Sequence, residues 1–306
     1  MVNRRISLGQ QLLWRIEAGL YDVAATLARI FPIDSVSDFG SALFRVLGPL
    51  TSAHRVVMVN LRIAFPDAAD EEIRSLAATQ WSDLGRWFTE FPILDRILAD
   101  PSRVEVIGAE RLAAIRDGAG PVVFISGHFS SFEIMPAVIV RSGVVCQITY
   151  RATNNPYIDA RIRANRQRYG VTLFAPKGSD GARDLLRSLG KGESVALMND
   201  QKFNAGIAAP LFGVPAFTAP GPSSMALRFG APLQPMSVQR KEKARFRVVV
   251  HDPIVLADTG DRNADIETGV HRINAFIEEH IRARPAEWFW VHKRWPNEHY
   301  KKAKTA

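Results

Sequence analysis

Glu133 follows His128 at a spacing of five in the run Gly127-His128-Phe129-Ser130-Ser131-Phe132-Glu133, which follows the apolar stretch Pro121-Val122-Val123-Phe124-Ile125-Ser126. A buried strand that ends in Gly-His presents an imidazole at its carboxyl end, where open α/β sheets bind their ligands. Imidazole changes charge near neutrality, so it can accept a proton at physiological pH. A neighbouring carboxylate can select one tautomer and favour the imidazolium. Five steps along one straight helix turn the second side chain about 140° from the first. The two therefore meet only if His128 lies in the strand–helix turn and Glu133 in the first helical turn. No Gly-x-Ser-x-Gly elbow or reactive cysteine motif accompanies them. The proton to be removed would then belong to a hydroxyl of the substrate. The structural alternative is a turn histidine and a solvated glutamate at a helix start.

Two further strand ends carry charge. Arg151 follows the strand ending at Tyr150 and projects from the same end of the sheet as His128. A guanidinium there suits a phosphate or a carboxylate. Asn199-Asp200-Gln201-Lys202 closes the strand before it. Asp200 either pairs with Arg151 or Lys202 across a cleft, or caps its loop. The Gly/Pro-rich segment from Leu211 to Pro222 reads as a loop, either packed on the surface or walling an acyl chain through Phe212 and Phe217. Arg161, Arg163, Arg166 and Arg168 on one helix read as a solvated basic face or a docking face for an acidic partner. Trp288, Trp290 and Trp295 lie among basic residues, with seven Lys/Arg against two Glu from Arg282 onward. They suit a membrane interface or a core anchor equally.

The elements that must hold these residues fall into two textures. Up to about residue 100 the pattern is helical. Leu8, Leu12, Leu13, Ile16, Leu20, Val23, Leu27 and Ile30 form an apolar stripe, flanked or punctuated by Arg4, Arg5 and Arg15. Pro32 ends this helix and a second runs to about Leu47. The stripe fits a helix lying in a bilayer interface or one packed on a core. Asn60 to Pro66 leads into a helix with the acidic first turn Asp70-Glu71-Glu72. From about residue 103, strands and helices alternate. Strands are predicted at Val104–Ile107, Val122–Ser126, Val144–Tyr150, Thr172–Phe174, Ser194–Met198, Leu233–Val238 and Phe246–Val250. A helix from Arg262 to Arg284 closes the series. Such βαβ alternation implies an α/β fold with a mostly parallel central sheet flanked by helices. The division is residues 1–50 as amphipathic, membrane-associating helices and 51–306 as the catalytic domain.

Composition narrows the classes. The 306 residues carry a net charge of +8 and one cysteine. A single cysteine forms no intrachain disulfide, and Cys146 sits in a strand-like run as a buried thiol. The positive charge favours anionic partners, yet no nucleic-acid-binding motif is present, which leaves membrane surfaces and acidic proteins. No apolar run is long enough for a clean membrane span, and there is no signal peptide.

The ordered set Asn60-Leu61-Arg62 to Phe65-Pro66, Gly127-His128 to Glu133, Tyr150-Arg151 to Asn155-Pro156, Asp200-Gln201, Phe212-Gly213 to Thr218, Gly230-Ala231 to Pro235, and Pro285 to Trp295 resembles the lipid A late acyltransferases (the lauroyl/myristoyl acyltransferase family of Gram-negative inner membranes) over residues 55 to 295. The resemblance implies a glycerolipid-acyltransferase-like fold. It implies transfer of an acyl group from acyl carrier protein to a hydroxyl of a lipid A precursor, at the cytoplasmic face of the inner membrane, with no metal or cofactor. It makes His128 the base and Glu133 its partner, and places Arg151 and Asp200 among the family's charged positions near the site; Lys202, in the same strand-end run as Asp200, is a further candidate for binding substrate. Backbone N–H groups at the helix start after Gly127 would steady the oxyanion. Many family members have a clear N-terminal span, whereas this N-terminus is charged and amphipathic. Two rival readings are an acyltransferase for another glycolipid or phospholipid, and a basic membrane-surface binding protein without activity. A hydrolase, with water in place of the hydroxyl, uses the same base.

Overall fold

The computed structural model describes residues 7–176 and 179–301. Arg4, Arg5, Lys302 and Lys304 lie outside them. Seven strands form the main sheet: β1 (Val104–Ile107), β2 (Val123–Ser126), β3 (Cys146–Tyr150), β4 (Phe174–Pro176), β5 (Ser194–Met198), β8 (Leu233–Glu242) and β9 (Arg245–Val250). Their order is β1-β9-β8-β2-β5-β3-β4, and every neighbouring pair is parallel except the β8–β9 hairpin. This is the mostly parallel α/β sheet that the alternation predicts. All four residues of β2 are buried, as expected of a strand covered on both faces, whose sequence is a continuous apolar run. β4 starts two residues later than predicted, because its pairing with β3 begins at Ile148 and Phe174. The helices α6 (Ala109–Arg116), α7 (Ile134–Arg141), α8 (Pro156–Arg168), α9 (Ser179–Gly190), α10 (Gly221–Phe229) and α11 (Arg262–Ala283) fill the connections. Pro136 is tolerated in the first turn of α7, where its missing N–H has no helical partner to lose.

The segment from Leu211 to Pro222 is not a loop. β6 (Ile207–Leu211) and β7 (Val214–Thr218) pair antiparallel, joined by Phe212 and Gly213. Both turn residues have positive φ, 54° and 73°, the requirement of a tight two-residue hairpin turn. Pro210 and Pro215 face each other across this ribbon. Proline survives there because a two-stranded ribbon consists of edges.

The N-terminal third comprises α1 (Leu8–Ile30), α2 (Ile33–Leu47), α3 (Ser52–Ala64), α4 (Asp70–Glu90) and the short α5 (Leu94–Ala99). α2 and α4 touch backbone to backbone, since a methyl group on Gly40 or Gly85 would collide with the other's carbonyl oxygen. Arg240 of β8 is buried and donates to Glu90 (2.6 and 3.0 Å) and Asp83 (2.9 Å) of α4. Ser37 of α2 donates to the same Glu90 at 2.6 Å. One buried charge cluster thus joins both helices to the sheet. α1 behaves differently. Ala18 is its one fully buried residue, and its apolar stripe faces outward, with Leu12 at 62% and Leu20 at 67% exposure. Phe39, Leu43, Val46 and Leu47 of α2 extend that exposed face. The stripe therefore does not pack on a core. Among the described residues no helix is long and apolar enough to cross a membrane.

The C-terminal segment takes the opposite course. Trp288, Trp290 and Trp295 are buried, so they anchor the chain end to the core. Asn60 of α3 receives that segment, donating to the carbonyls of Trp290 (2.6 Å) and His292 (2.7 Å) and accepting from the Tyr300 hydroxyl.

Two predictions follow from this packing. Arg240→Met leaves Glu90 charged, buried and unpaired, which lowers stability by about 3–5 kcal/mol in urea unfolding, and the Arg240→Met/Glu90→Gln pair recovers much of it. His251, packed on Phe276 and His280 of α11, has a pKa lowered to about 4, chiefly by burial and then by the neighbouring His280 and Arg111. The unfolded chain binds more protons than the native one between that value and the ordinary 6.5, so stability falls as pH drops through this window. Thermal unfolding scans of His251→Gln show a shallower loss across it.

Candidate active site

Parallel pairing places the site. β2 and β5 lie side by side with Ser126 opposite Met198. Two residues beyond each strand end, the same register brings His128 beside Asp200. The Asn199 N–H donates to the Ser126 carbonyl at 2.9 Å and keeps the two chains together past the sheet. Asp200 Oδ1 lies 2.7 Å from His128 Nδ1, and Oδ2 accepts the His128 backbone N–H at 2.7 Å. A third donor, Trp288 Nε1, reaches Oδ2 at 2.7 Å. The carboxylate is buried at 3% exposure. Burial alone would raise its pKa, but the charge and hydrogen bonds of His128 and the Trp288 indole hold it well below the usual carboxylate range.

The C-terminal segment supplies Trp288 through a short antiparallel contact. Phe129 bridges to Trp288, the Phe289 N–H donates to the His128 carbonyl at 3.2 Å, and the Ser130 N–H donates to the Glu287 carbonyl at 2.6 Å. Ser130 adopts a positive φ of 43° in this turn. The N–H groups of His128, Phe129 and Ser130 are thereby engaged by Asp200, Gly127 and Glu287. The backbone oxyanion donors expected just after Gly127 are thus already taken at these three positions.

Glu133 does not hold the imidazole. It meets Arg166 of α8 in a two-pronged ion pair, with Arg166 Nε 2.9 Å from Oε2 and a second contact from Nη2 to Oε1, and it accepts from the Tyr169 hydroxyl at 3.2 Å. The turn through Ser130 sets the ring of Phe132 beside the imidazole instead, edge-on at 4.7 Å, while Glu133 faces α8. Glu133 and Arg166 still line the same cavity as His128. Arg166, read from sequence as part of a solvated face, is in fact inward, stacked over Tyr150 at 4.8 Å. Its helix-mates stay outside: Arg161 pairs with Asp22, and Arg163 with Asp159 at 3.1 Å.

The remaining expectations divide. Arg151 is exposed at the end of β3 and lines the cavity, with no described residue paired to it. Asp200 pairs with neither Arg151 nor Lys202, because His128 and Trp288 occupy both its oxygens. Lys202 lies outside the cavity lining and its ammonium contacts Asn297 Oδ1 at 2.8 Å. Phe212 and Phe217 form no part of the cavity wall. Phe212 packs on Phe65 and Trp295. Trp288 was missed as a site residue, since nothing in its spacing points to a carboxylate 88 positions away.

The cavity measures about 1310 Å³. Its walls come from α1, α2, α4, α7 and α8 and from the strands β2, β3, β5 and β8. The lining is apolar apart from a few groups, including His128, Glu133, Arg151 and Arg166. An apolar chamber with a carboxylate-held imidazole in its wall suits proton abstraction next to a hydrocarbon ligand.

Residues 11–297 match the family described as bacterial lipid A biosynthesis acyltransferase. The chain belongs to this family. Among individual relatives, it is 25% identical to the lipid A biosynthesis lauroyltransferase of Escherichia coli K12 over 78% of both chains. It is equally 25% identical to the lipid A biosynthesis palmitoleoyltransferase of the same strain, over 77% of this chain and 76% of the other. Two relatives named for different acyl groups stand at the same distance, so identity does not select a chain length. The crystal structure of the glycerophosphate acyltransferase PlsC from Thermotoga maritima aligns over 82% of this chain and 98% of its own, at 14% identity and a TM-score of 0.36. That likeness is too loose to carry an argument. As a member of the lipid A family the chain is an acyltransferase, with its central sheet mostly parallel and helix-flanked.

Removing the Glu133 carboxylate tests its structural weight. Glu133→Ala leaves the half-buried Arg166 without its counter-charge and lowers stability by about 3 kcal/mol, read by urea unfolding, whereas Glu133→Gln retains a hydrogen-bonding partner and loses less.

Proposed function

We propose that the protein moves a fatty acyl group from acyl carrier protein to a hydroxyl of a lipid A precursor, with His128 as the base. The observation that carries this reading is the His128–Asp200 pair in the wall of a large apolar cavity. With Nδ1 committed to Asp200, Nε2 is the nitrogen that takes the proton. The acceptor hydroxyl attacks the thioester carbonyl carbon as His128 removes its proton. The tetrahedral intermediate then collapses, the carbon–sulfur bond breaks, and the imidazolium returns its proton to the departing thiolate. Asp200, ionised and buried, stabilises the imidazolium in between. No serine or cysteine is hydrogen-bonded to His128 among the described residues, which favours direct transfer over an acyl-enzyme. Glu133 is in this reading a positioning group that holds Arg166 in the cavity wall. Arg151, exposed at the cavity, suits a phosphate of the acceptor. Lys202, outside the cavity, is given no role in the reaction.

The exposed apolar face of α1 and α2 supports attachment to the cytoplasmic surface of the inner membrane. The net charge of +8 suits both anionic lipid and an acidic carrier protein.

The test is acyl transfer from a panel of acyl carrier protein thioesters to a tetra-acylated, sugar-bearing lipid A precursor. Wild type transfers, and the panel reads the preferred chain length. His128→Ala, still folded by circular dichroism, loses about 10²–10⁴-fold in rate, the range for a lost general base. Asp200→Asn loses at least about 10²-fold, because an amide neither selects the tautomer nor balances the imidazolium. Glu133→Gln stays within about tenfold of wild type, since its carboxylate does not touch the base. Absence of transfer by wild type from every donor overturns the proposal. A Glu133→Gln loss as deep as that of Asp200→Asn overturns the division of roles.

A further inference from the structure

Five large apolar side chains are exposed to solvent and also line the cavity: Leu20 and Leu27 of α1, Phe31 just beyond it, Phe39 of α2 and Phe88 of α4. Side chains that do both form a rim. The cavity therefore opens between α1, α2 and α4. Ala24, exposed on α1 between the two leucines, belongs to the same rim. Around the opening the surface stays apolar, with Leu13, Ile16 and Val23 on α1 and Leu43 and Val46 on α2. An apolar face of this extent marks an interaction site rather than ordinary surface.

The attachment of α1 fits such an opening. Polar groups along its length hold the helix, rather than a buried stripe. Asn155 donates to the Trp14 carbonyl (3.0 Å) and to Glu17 (2.8 Å), Arg29 pairs with Asp95 (2.9 and 2.7 Å), and Arg161 pairs with Asp22. Arg96 adds hydrogen bonds to the carbonyls of Ala28, Arg29 and Phe31. These clasps fix the helix in position and leave its apolar side unoccupied by protein.

We infer that the cavity is loaded sideways from the bilayer: the hydrocarbon chain of a membrane lipid passes through the rim formed by Leu20, Ala24, Leu27, Phe31, Phe39 and Phe88 without crossing water. Exposing a chain to water is penalised at every methylene, and an apolar rim continuous with an apolar face removes that barrier. At about 1310 Å³ the cavity exceeds the roughly 300–1,000 Å³ of a pocket for one small ligand. It has room for the acceptor's own chain beside the donor's. The identity of the occupant as an acyl chain rests on the acyl-transfer reading above.

The test uses the full chain and vesicles of phosphatidylethanolamine and phosphatidylglycerol that contain a phospholipid with a diazirine near the end of one acyl chain. After irradiation, cross-links are mapped by peptide mass spectrometry. Labelling is expected at the rim and inside, at the buried cavity residues Met135 and Ile139. It persists in His128→Ala, because entry needs no turnover. In Ala24→Trp, which fills the rim, interior labelling is lost while co-sedimentation with vesicles is retained, and Ala24→Ser behaves as wild type. Labels confined to the outer side of α1, at Leu12, Leu13 and Ile16, overturn the inference. So does interior labelling that Ala24→Trp leaves unchanged, or a failure to co-sediment. Interior labelling without acyl transfer in the separate assay sinks the transferase reading and leaves the portal standing. Transfer with labels confined outside sinks the portal alone.

Discussion

A buried carboxylate, Asp200, is the interaction around which the site is built. An ionised group this far from water persists only where donors replace its lost hydration. Asp200 has three, and they come from separate parts of the chain: the backbone and ring of His128 after β2, and the indole of Trp288 near the C-terminus. The carboxylate thus requires the β2–β5 register and the docking of the C-terminal segment together. That segment is held in turn by Asn60 of α3 and by the short bridge from Phe129 to Trp288. The imidazole gains a fixed tautomer and orientation from the same arrangement.

Two other buried ion pairs hold the frame around this centre. Glu133 and Arg166 tie the start of α7 to α8 along the cavity wall. Arg240, with Glu90 and Asp83, ties β8 to α4. Buried pairs of this kind contribute little net stability over an apolar replacement, but losing one partner is severe. Beside the Glu133–Arg166 pair lies a chamber that protein side chains do not fill. Its outer wall is α1, a helix that buries one alanine and exposes its leucines. A cavity walled in this way is open toward whatever covers the apolar face, so the surface and the chamber form one continuous apolar environment.

Much of the frame was legible. The strand–helix alternation after residue 103, the burial of β2, the strand-end positions of His128, Arg151 and Asp200, and the exposure-neutral stripe on α1 all follow from local periodicity. The hairpin β6–β7 was not legible as strands, because two prolines and a glycine punctuate it, and its identity depends on pairing rather than on propensity. The stripe on α1 is equally informative of its limits. Its spacing says that one side is apolar, and the same spacing serves a helix on a core or a helix at an interface.

The chain by itself determined that a histidine ends a buried strand, that acidic and basic groups end its neighbours, and that no enzyme nucleophile accompanies them. These are properties of residue type and short-range spacing. Tertiary structure alone decided which carboxylate meets the imidazole. Glu133 is five residues from His128 and turns to Arg166, while Asp200 is 72 residues away and forms the pair. The physical reason is strand order. A parallel sheet aligns residues by register across β2 and β5, and the turn after β2 sets which way the following side chains face, so proximity along the chain carries little information about proximity at the site.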